Sequence, residues 1–473
     1  MPTNDQKCRH LLWRAGFGPS ADSLADSAAQ QPGALYAALR AASAARPAYI
    51  NVIDESLRRL VADRAEAGRL QAPDTRRMLR EKSREGIRAL NLTWLYQLIE
   101  SPAQLREKMA FFWHGHFAAR NQNVLHQQGL LDLLRVNALG SFRTLLHEVS
   151  KSGAMLQFLN AQQNRKDHPN ENFAREVMEL FTMGRGHYTE RDIKEAARAF
   201  TGWGANYRGD FQFRRAAHDD GSKTVFGKTG AFVGEDVLNM LLEQKQTARH
   251  IAGKLYRFFV HETPDATHVA WLADRFYKND YDIQKLLDDL FTADWFYAEK
   301  NIGTRIKSPV ELIAGIQRLL PMKLQNEEAL LLVQRLLGQV LFYPPNVAGW
   351  PGGRSWIDSS TLMTRMRIPL LLQDGDGLDL RPKDDDDTNG GQMEGGGRAG
   401  RPISAQIEWT RFTRHFDAVP RAELMDRLTR TVLQVPLRVP AASVSAFADG
   451  SARDAFVRTA TLRLMALPEY QLC

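Results

Sequence analysis

Apolar residues recur with a helical period along most of this chain, and that pattern restricts it to a body of packed helices. Between residues 74 and 100, Leu79, Ile87, Leu90, Trp94, Leu95 and Leu98 fall near a 3.6-residue spacing, which gives one long helix an apolar face. Ser101-Pro102 then reads as an N-cap followed by proline at the first helical position, opening a second helix through Lys108 and Phe111 to Phe117. Further helices are expected over 126–137, 141–150, 153–160 and 171–183, the last closed by Gly184 as a C-terminal cap. Thr189 and Asp192 form a capping-box pattern for a helix over 190–201.

The pattern changes at Gly202. Over 203–230, Gly, Asp and aromatic residues dominate, and Tyr207, Phe211 and Phe213 flank Arg208-Gly209-Asp210 as a small hairpin would require. Helical periodicity returns near Glu235 and runs to about Leu337, with Ser308-Pro309 as another helix start. The segment Tyr343 to Arg354 contains Pro344, Pro345, Pro351, Gly352 and Gly353, so it is neither regular helix nor central strand but a shaped loop. The reading is therefore all-α: a multi-helix globular protein with a small β-hairpin insertion near 203–230.

A chain of 473 residues exceeds the roughly 250–300 residues that one core supports, so two or three packed subdomains are expected. Residues 374–402 are rich in Gly, Asp and Arg and nearly devoid of large apolar side chains, the composition of a flexible linker. It separates a main helical body, 1–373, from a C-terminal helical segment, 403–473, expected to pack on that body. The four aspartates at 384–387 read as solvated chain.

Hydrophobic residues make up 44% and charged residues 25%, which excludes wholesale disorder. A net charge of +7 on this length does not favour nucleic acid as a partner. Arg76, Arg80, Arg84 and Arg88 make a stripe spaced by four, but Glu81 and Glu85 interleave with it as on a solvated helix face. Cys8 and Cys473 supply neither a disulfide framework nor zinc-ligand spacing. The polar residues 1–7 lack a signal-like apolar run, and no apolar stretch approaches the ~20 residues that cross a bilayer, so a cytoplasmic chain without membrane association is expected.

Three segments carry candidate chemistry. In Asn170 to Met183, Phe173, Val177, Leu180 and Phe181 form an apolar stripe, while Arg175 lies four residues from both Glu171 and Glu179. Glu176 and Glu179 can hold a divalent metal together, or be locked by arginine. Phe112-Trp113-His114-Gly115-His116-Phe117 is the densest histidine cluster. On a continuous helix its two imidazoles diverge by ~200°, and Gly115 is the residue that would break it. His218-Asp219-Asp220-Gly221-Ser222-Lys223-Thr224 gathers a base, acids and a cation in what is also ordinary turn composition. Trp350, Arg354 and Trp356 give the proline-rich loop pocket-like walls, or a plug between helical layers.

These segments, in order, resemble an uncharacterised bacterial family, domain of unknown function 1800. The resemblance rests on 12–19 (LWRAGFGP), 108–117 (KMAFFWHGHF), 170–184 (NENFAREVMELFTMG), 188–190 (YTE), 196–203 (AARAFTGW), 218–230 (HDDGSKTVFGKTG), 254–260 (KLYRFFV), 307–311 (KSPVE), 344–356 and 468–470 (PEY). It implies no assigned activity and no catalytic residues. It does imply a sulfatase-like protein as a partner, since members are often encoded beside one, and frequent export, for which the polar residues 1–7 lead us to expect no leader here.

Two main readings of function follow from the residues. In the first, the chain is an enzyme of hydrolytic or group-transfer type. Its centre gathers His114, His116, His218, Glu176 and Glu179 as ligands of a divalent metal or as acid–base groups, with Asp219 beside them. Arg175, Lys223, Trp350 and Arg354 then bind substrate. In the second, the same groups are satisfied pairs in a non-catalytic scaffold or partner protein, and the Trp/Pro loop docks the partner. Nucleic-acid binding through the arginine stripe is a third reading.

Overall fold

A computed structural model describes residues 1–24, 30–62, 73–374 and 405–473. Helices dominate it, and the strands among the described residues form three two-stranded antiparallel sheets. The insertion near 203–230 contains two hairpins: Trp203–Ala205 pairs with Phe211–Phe213, and Lys223–Val225 with Lys228–Gly230. The third sheet, Met322–Leu324 with Ala405–Ile407, has no counterpart in the sequence reading. The linker assigned to 374–402 lies outside the described residues, apart from residue 374 at the end of a helix.

The helices that build the sites are α1 (Asn4–Arg14), α2 (Pro32–Ala42), α3 (Pro73–Glu100), α4 (Gln104–His116), α5 (Val124–Val136), α6 (Lys245–Phe259) and α7 (Pro309–Leu319). α3 buries Leu79, Ile87, Leu90, Trp94, Leu95 and Leu98, the stripe that the periodicity picks out. α4 begins at Gln104 rather than at Pro102, and Ser101 Oγ accepts the Ala103 N–H just ahead of it. Almost every side chain of α4 is buried, including Arg106, Glu107 and Lys108. Such a helix has no solvent face and must satisfy each charge internally.

It does so in three directions, because successive residues on a helix are separated by ~100°. Arg106 Nη1 donates to the Ala45 carbonyl. Glu107 accepts from Arg135 Nη2 at 2.8 Å and from Trp94 Nε1 at 3.2 Å. Lys108 Nζ donates to Glu311 Oε1 at 2.5 Å and to the Trp13 carbonyl at 3.2 Å.

Glu311 caps α7 and is the carboxylate of a buried charge centre. Ser308 and Glu311 form a reciprocal capping box, while Arg305 Nη2 donates to the same carboxylate. Burial alone would raise the Glu311 carboxyl, but Arg305 and Lys108 override it and hold it well below the usual carboxylate range. Beside it, Lys307 Nζ sits 3.8 Å from the Trp13 ring centre and 3.7 Å from that of Tyr470. Burial pushes its ammonium down to about 7. Four of the sequence segments singled out above, 12–19, 108–117, 307–311 and 468–470, therefore meet at one interior point. α1 reaches it only because Gly315 lies under Trp13: a Cβ there would stand 2.2 Å from the indole.

Glu311→Gln leaves Lys108 and Arg305 buried without their carboxylate, and a loss of about 3–5 kcal/mol in chemical denaturation is expected. Glu328→Gln, which removes the exposed partner of Arg88, is expected to cost less than about 1 kcal/mol. Equal losses would contradict the buried charge centre.

Candidate functional site

α4 is continuous through Gly115, so the helix break that would bring His114 and His116 together is absent. The glycine that the neighbouring loop requires is Gly349: at φ 85°, a Cβ there would lie 2.4 Å from the Gly115 carbonyl oxygen, whereas a Cβ at Gly115 would meet open space. His114 points toward that loop. Its Nε2 accepts the Phe342 N–H at 3.1 Å, which places the imidazole proton on Nδ1. Its ring packs at 5.0 Å from Trp94 and 5.3 Å from Trp350. Burial depresses its basicity to about 3.

His116 faces the opposite way, toward 170–184. That segment is not one regular helix but a short α-helix, Asn172–Glu176, followed by a π-helical turn, Val177–Thr182. The carbonyls at the end of the turn are met by side chains of α4 and α6. His116 Nε2 donates to Phe181 O at 3.2 Å, His250 Nε2 to Leu180 O at 3.3 Å, and Lys254 Nζ to His116 Nδ1 at 3.0 Å. Burial, then Arg257, lowers the Lys254 ammonium to about 8.

The π turn also changes the carboxylate pairing. Its wider winding takes Glu179 away from Arg175, which binds Glu171 at 3.1 Å and Glu190 at 2.7 Å. Glu179 is held by Arg185 and by the Tyr188 hydroxyl at 2.8 Å. Glu176 has no ion pair among the described residues, and burial followed by the Glu179 charge raises its carboxyl.

The 218–224 loop is tied to residues 198–201 and braced internally by Lys223. His218 Nδ1 donates to Thr201 O at 2.9 Å, Asp219 pairs with Arg198 at 2.7 Å, and the fully buried Lys223 Nζ donates to the carbonyls of Asp219 and Gly221. Arg354 is exposed, and Trp350 is half-buried over His114. The ten candidate residues thus stand at several separate places. His114, His116, His218, Glu176 and Glu179 are not assembled as a metal site: among the described residues no group of three or more His, Cys, Asp or Glu side chains is arranged to hold an ion.

A different cavity, of about 580 Å³, opens beside α2, α4 and α5 and is lined by Arg40, Arg46, Arg106 and Arg135 together with Ser43 and Gln284. Arg135 is 2% exposed; Glu107 binds its Nε and Nη2, and the Ala48 carbonyl accepts from Nη1. Arg106, 8% exposed, lies beside the same carboxylate at 3.5 Å. At the rim Arg40 pairs with Asp288 at 3.1 Å. Arg46 is exposed, with no ion pair among the described residues. Asp132 lies within electrostatic reach of Arg135 and Arg46, and burial raises its carboxyl. Sequence reasoning missed this site because its arginines come from three separate stretches, the end of α2 with the turn after it, α4 and α5. The available signal was Arg106-Glu107-Lys108 inside the otherwise apolar α4.

The model of one protein family, described as a protein of unknown function (DUF1800), matches residues 10–472. No curated protein and no solved structure matches the chain.

His114 ties stability to pH. Its folded value of about 3 lies below the ~6.5 of an unfolded histidine, so between these values only the unfolded chain takes up the proton. Stability should fall on acidification from pH 6.5 toward 3, by up to about 1.4 kcal/mol per unit for this residue. Denaturation of wild type and His114→Gln between pH 7 and 4.5 checks it; parallel pH dependences would show that His114 is not buried neutral.

Proposed function

Given that the chain belongs to the DUF1800 family, whose description assigns no activity, we propose that it is a non-catalytic binding protein for small anionic ligands. The site is the cavity lined by Arg40, Arg46, Arg106 and Arg135. The observation that carries this reading is four guanidiniums on one cavity of about 580 Å³, with Glu107 and Asp288 as the carboxylates that hold three of them. Guanidinium forks suit the paired oxygens of phosphate, sulfate or carboxylate. The volume suits a small molecule.

Binding is favoured over catalysis because no histidine or cysteine lines this cavity. Its one hydroxyl, Ser43 Oγ, is occupied in accepting the Arg106 N–H at 3.2 Å. The hydrolytic or group-transfer reading required His114, His116 and His218 to converge with Glu176 and Glu179 on one cleft. Their separation removes its main support.

Calorimetry on the full chain with inorganic phosphate, sulfate and a dicarboxylate, at ionic strength matched with chloride, tests the proposal. Binding is expected for at least one of them, and Arg46→Gln, at an exposed position, is expected to weaken it about tenfold through loss of a charge-assisted contact. Heats no greater than those of chloride, or an affinity that Arg46→Gln leaves unchanged, would count against the site.

A further inference from the structure

The arginine cavity is larger than an inorganic anion needs, and its walls are not all polar. A single phosphate or sulfate fills a minor part of about 580 Å³, a volume in the range that takes whole organic molecules. Beside the guanidiniums the lining carries Ala44, Ala45 and Pro47 from the stretch after α2, and Val136 and Leu139 from the end of α5 and the turn after it. Val136 is 36% exposed, and Ala44 and Ala45 are exposed as well. Leu139 is half-buried and packs on the core.

The cations set the head group. Glu107 holds both Arg106 and Arg135, Asp288 holds Arg40, and Arg46 has no ion pair among the described residues. Four guanidiniums against these two carboxylates leave an excess of two positive charges, and neither carboxylate lines the cavity. Asp132, outside the lining but within electrostatic reach of Arg135 and Arg46, lessens this excess without cancelling it. Arg106 offers a donor already in place. Its Nη1 is engaged by the Ala45 carbonyl, while its Nη2 hydrogen-bonds to no described residue. A phosphate monoester carries close to two negative charges at neutral pH, where a sulfate monoester or a carboxylate carries one. A second cavity, of about 340 Å³, has a single arginine, Arg80, in its lining and offers no comparable charge.

We propose that the ligand of the arginine cavity is the phosphate monoester of a small aliphatic alcohol. Its phosphate lies on Arg46 and Arg106, and its carbon body on Pro47, Val136 and Leu139. This rests on the anion-binding reading of the same cavity and narrows it. Guanidinium donors match paired phosphate oxygens, and the ester carbons gain from leaving water roughly in proportion to the apolar area they cover. The lining contains no aromatic ring, so a nucleoside monophosphate finds no platform for its base.

The test is calorimetry on the full chain with butyl phosphate, inorganic phosphate, butyl sulfate and adenosine monophosphate at matched ionic strength. Butyl phosphate should bind about tenfold tighter than inorganic phosphate, and tighter than butyl sulfate or adenosine monophosphate. Val136→Asn, at an exposed position, should cut the advantage of butyl over inorganic phosphate about threefold, whereas Arg46→Gln should weaken both phosphates alike. Each variant's thermal midpoint reports its folding. Inorganic phosphate, butyl sulfate or adenosine monophosphate binding as tightly as butyl phosphate would overturn this inference and leave the anion site standing. So would an advantage that Val136→Asn leaves intact. Absence of binding by either phosphate, or indifference of both to Arg46→Gln, would overturn the anion site itself and this inference with it.

Discussion

Lys108 and Glu311, 203 positions apart in sequence and 2.5 Å apart in space, are both almost fully excluded from water. Placing two charges in such an interior carries a desolvation penalty that the pair offsets only when its geometry is close and its remaining valences are filled. Here they are filled: Arg305 and the Ser308 N–H complete Glu311, and the Trp13 carbonyl completes Lys108. α1, α4 and α7 therefore have one mutual arrangement in which these charges are tolerable. The rotation of α4 that satisfies Lys108 also sends Arg106 and Glu107 toward the arginine cavity, His114 toward Trp350 and His116 toward the π turn.

That geometry explains why some features were legible in the sequence and others were not. Local chemistry was readable. The capping box at Thr189 and Asp192 has both of its hydrogen bonds, and Gly184 adopts the positive φ of a helix terminator. The apolar stripe of α3 faces the core. The π turn at 177–182 escaped because a single widened turn leaves an amphipathic pattern nearly intact over six residues. Its consequence was large, since it reassigns Glu179 from Arg175 to Arg185.

Side-chain direction was the other missing quantity. His114 and His116 stood out as rare polar types among aromatics, and the structure gives both a defined role, but a spacing of two on an unbroken helix sends them to different neighbours. Arg40, Arg46, Arg106 and Arg135 have no shared spacing at all. They come together because Glu107 fixes two of them from behind, and a residue that acts from behind a cavity wall leaves no motif.

The two cavities differ in how far they are organised in advance. Arg135 is held by the Glu107 carboxylate and a backbone carbonyl, so a ligand that enters the cavity beside it orders no new side chain. That lowers the entropic cost of association. Arg46, exposed and without an ion pair among the described residues, is suited to attracting an anion before contact. At the smaller cavity, of about 340 Å³, the rigid part is the floor, fixed by Asn123 and His126, and Arg80 is the arginine in the lining. A rigid cationic base beneath an exposed cation favours compact, highly charged ligands. A rigid neutral floor with a single arginine favours ligands that are more polar than charged.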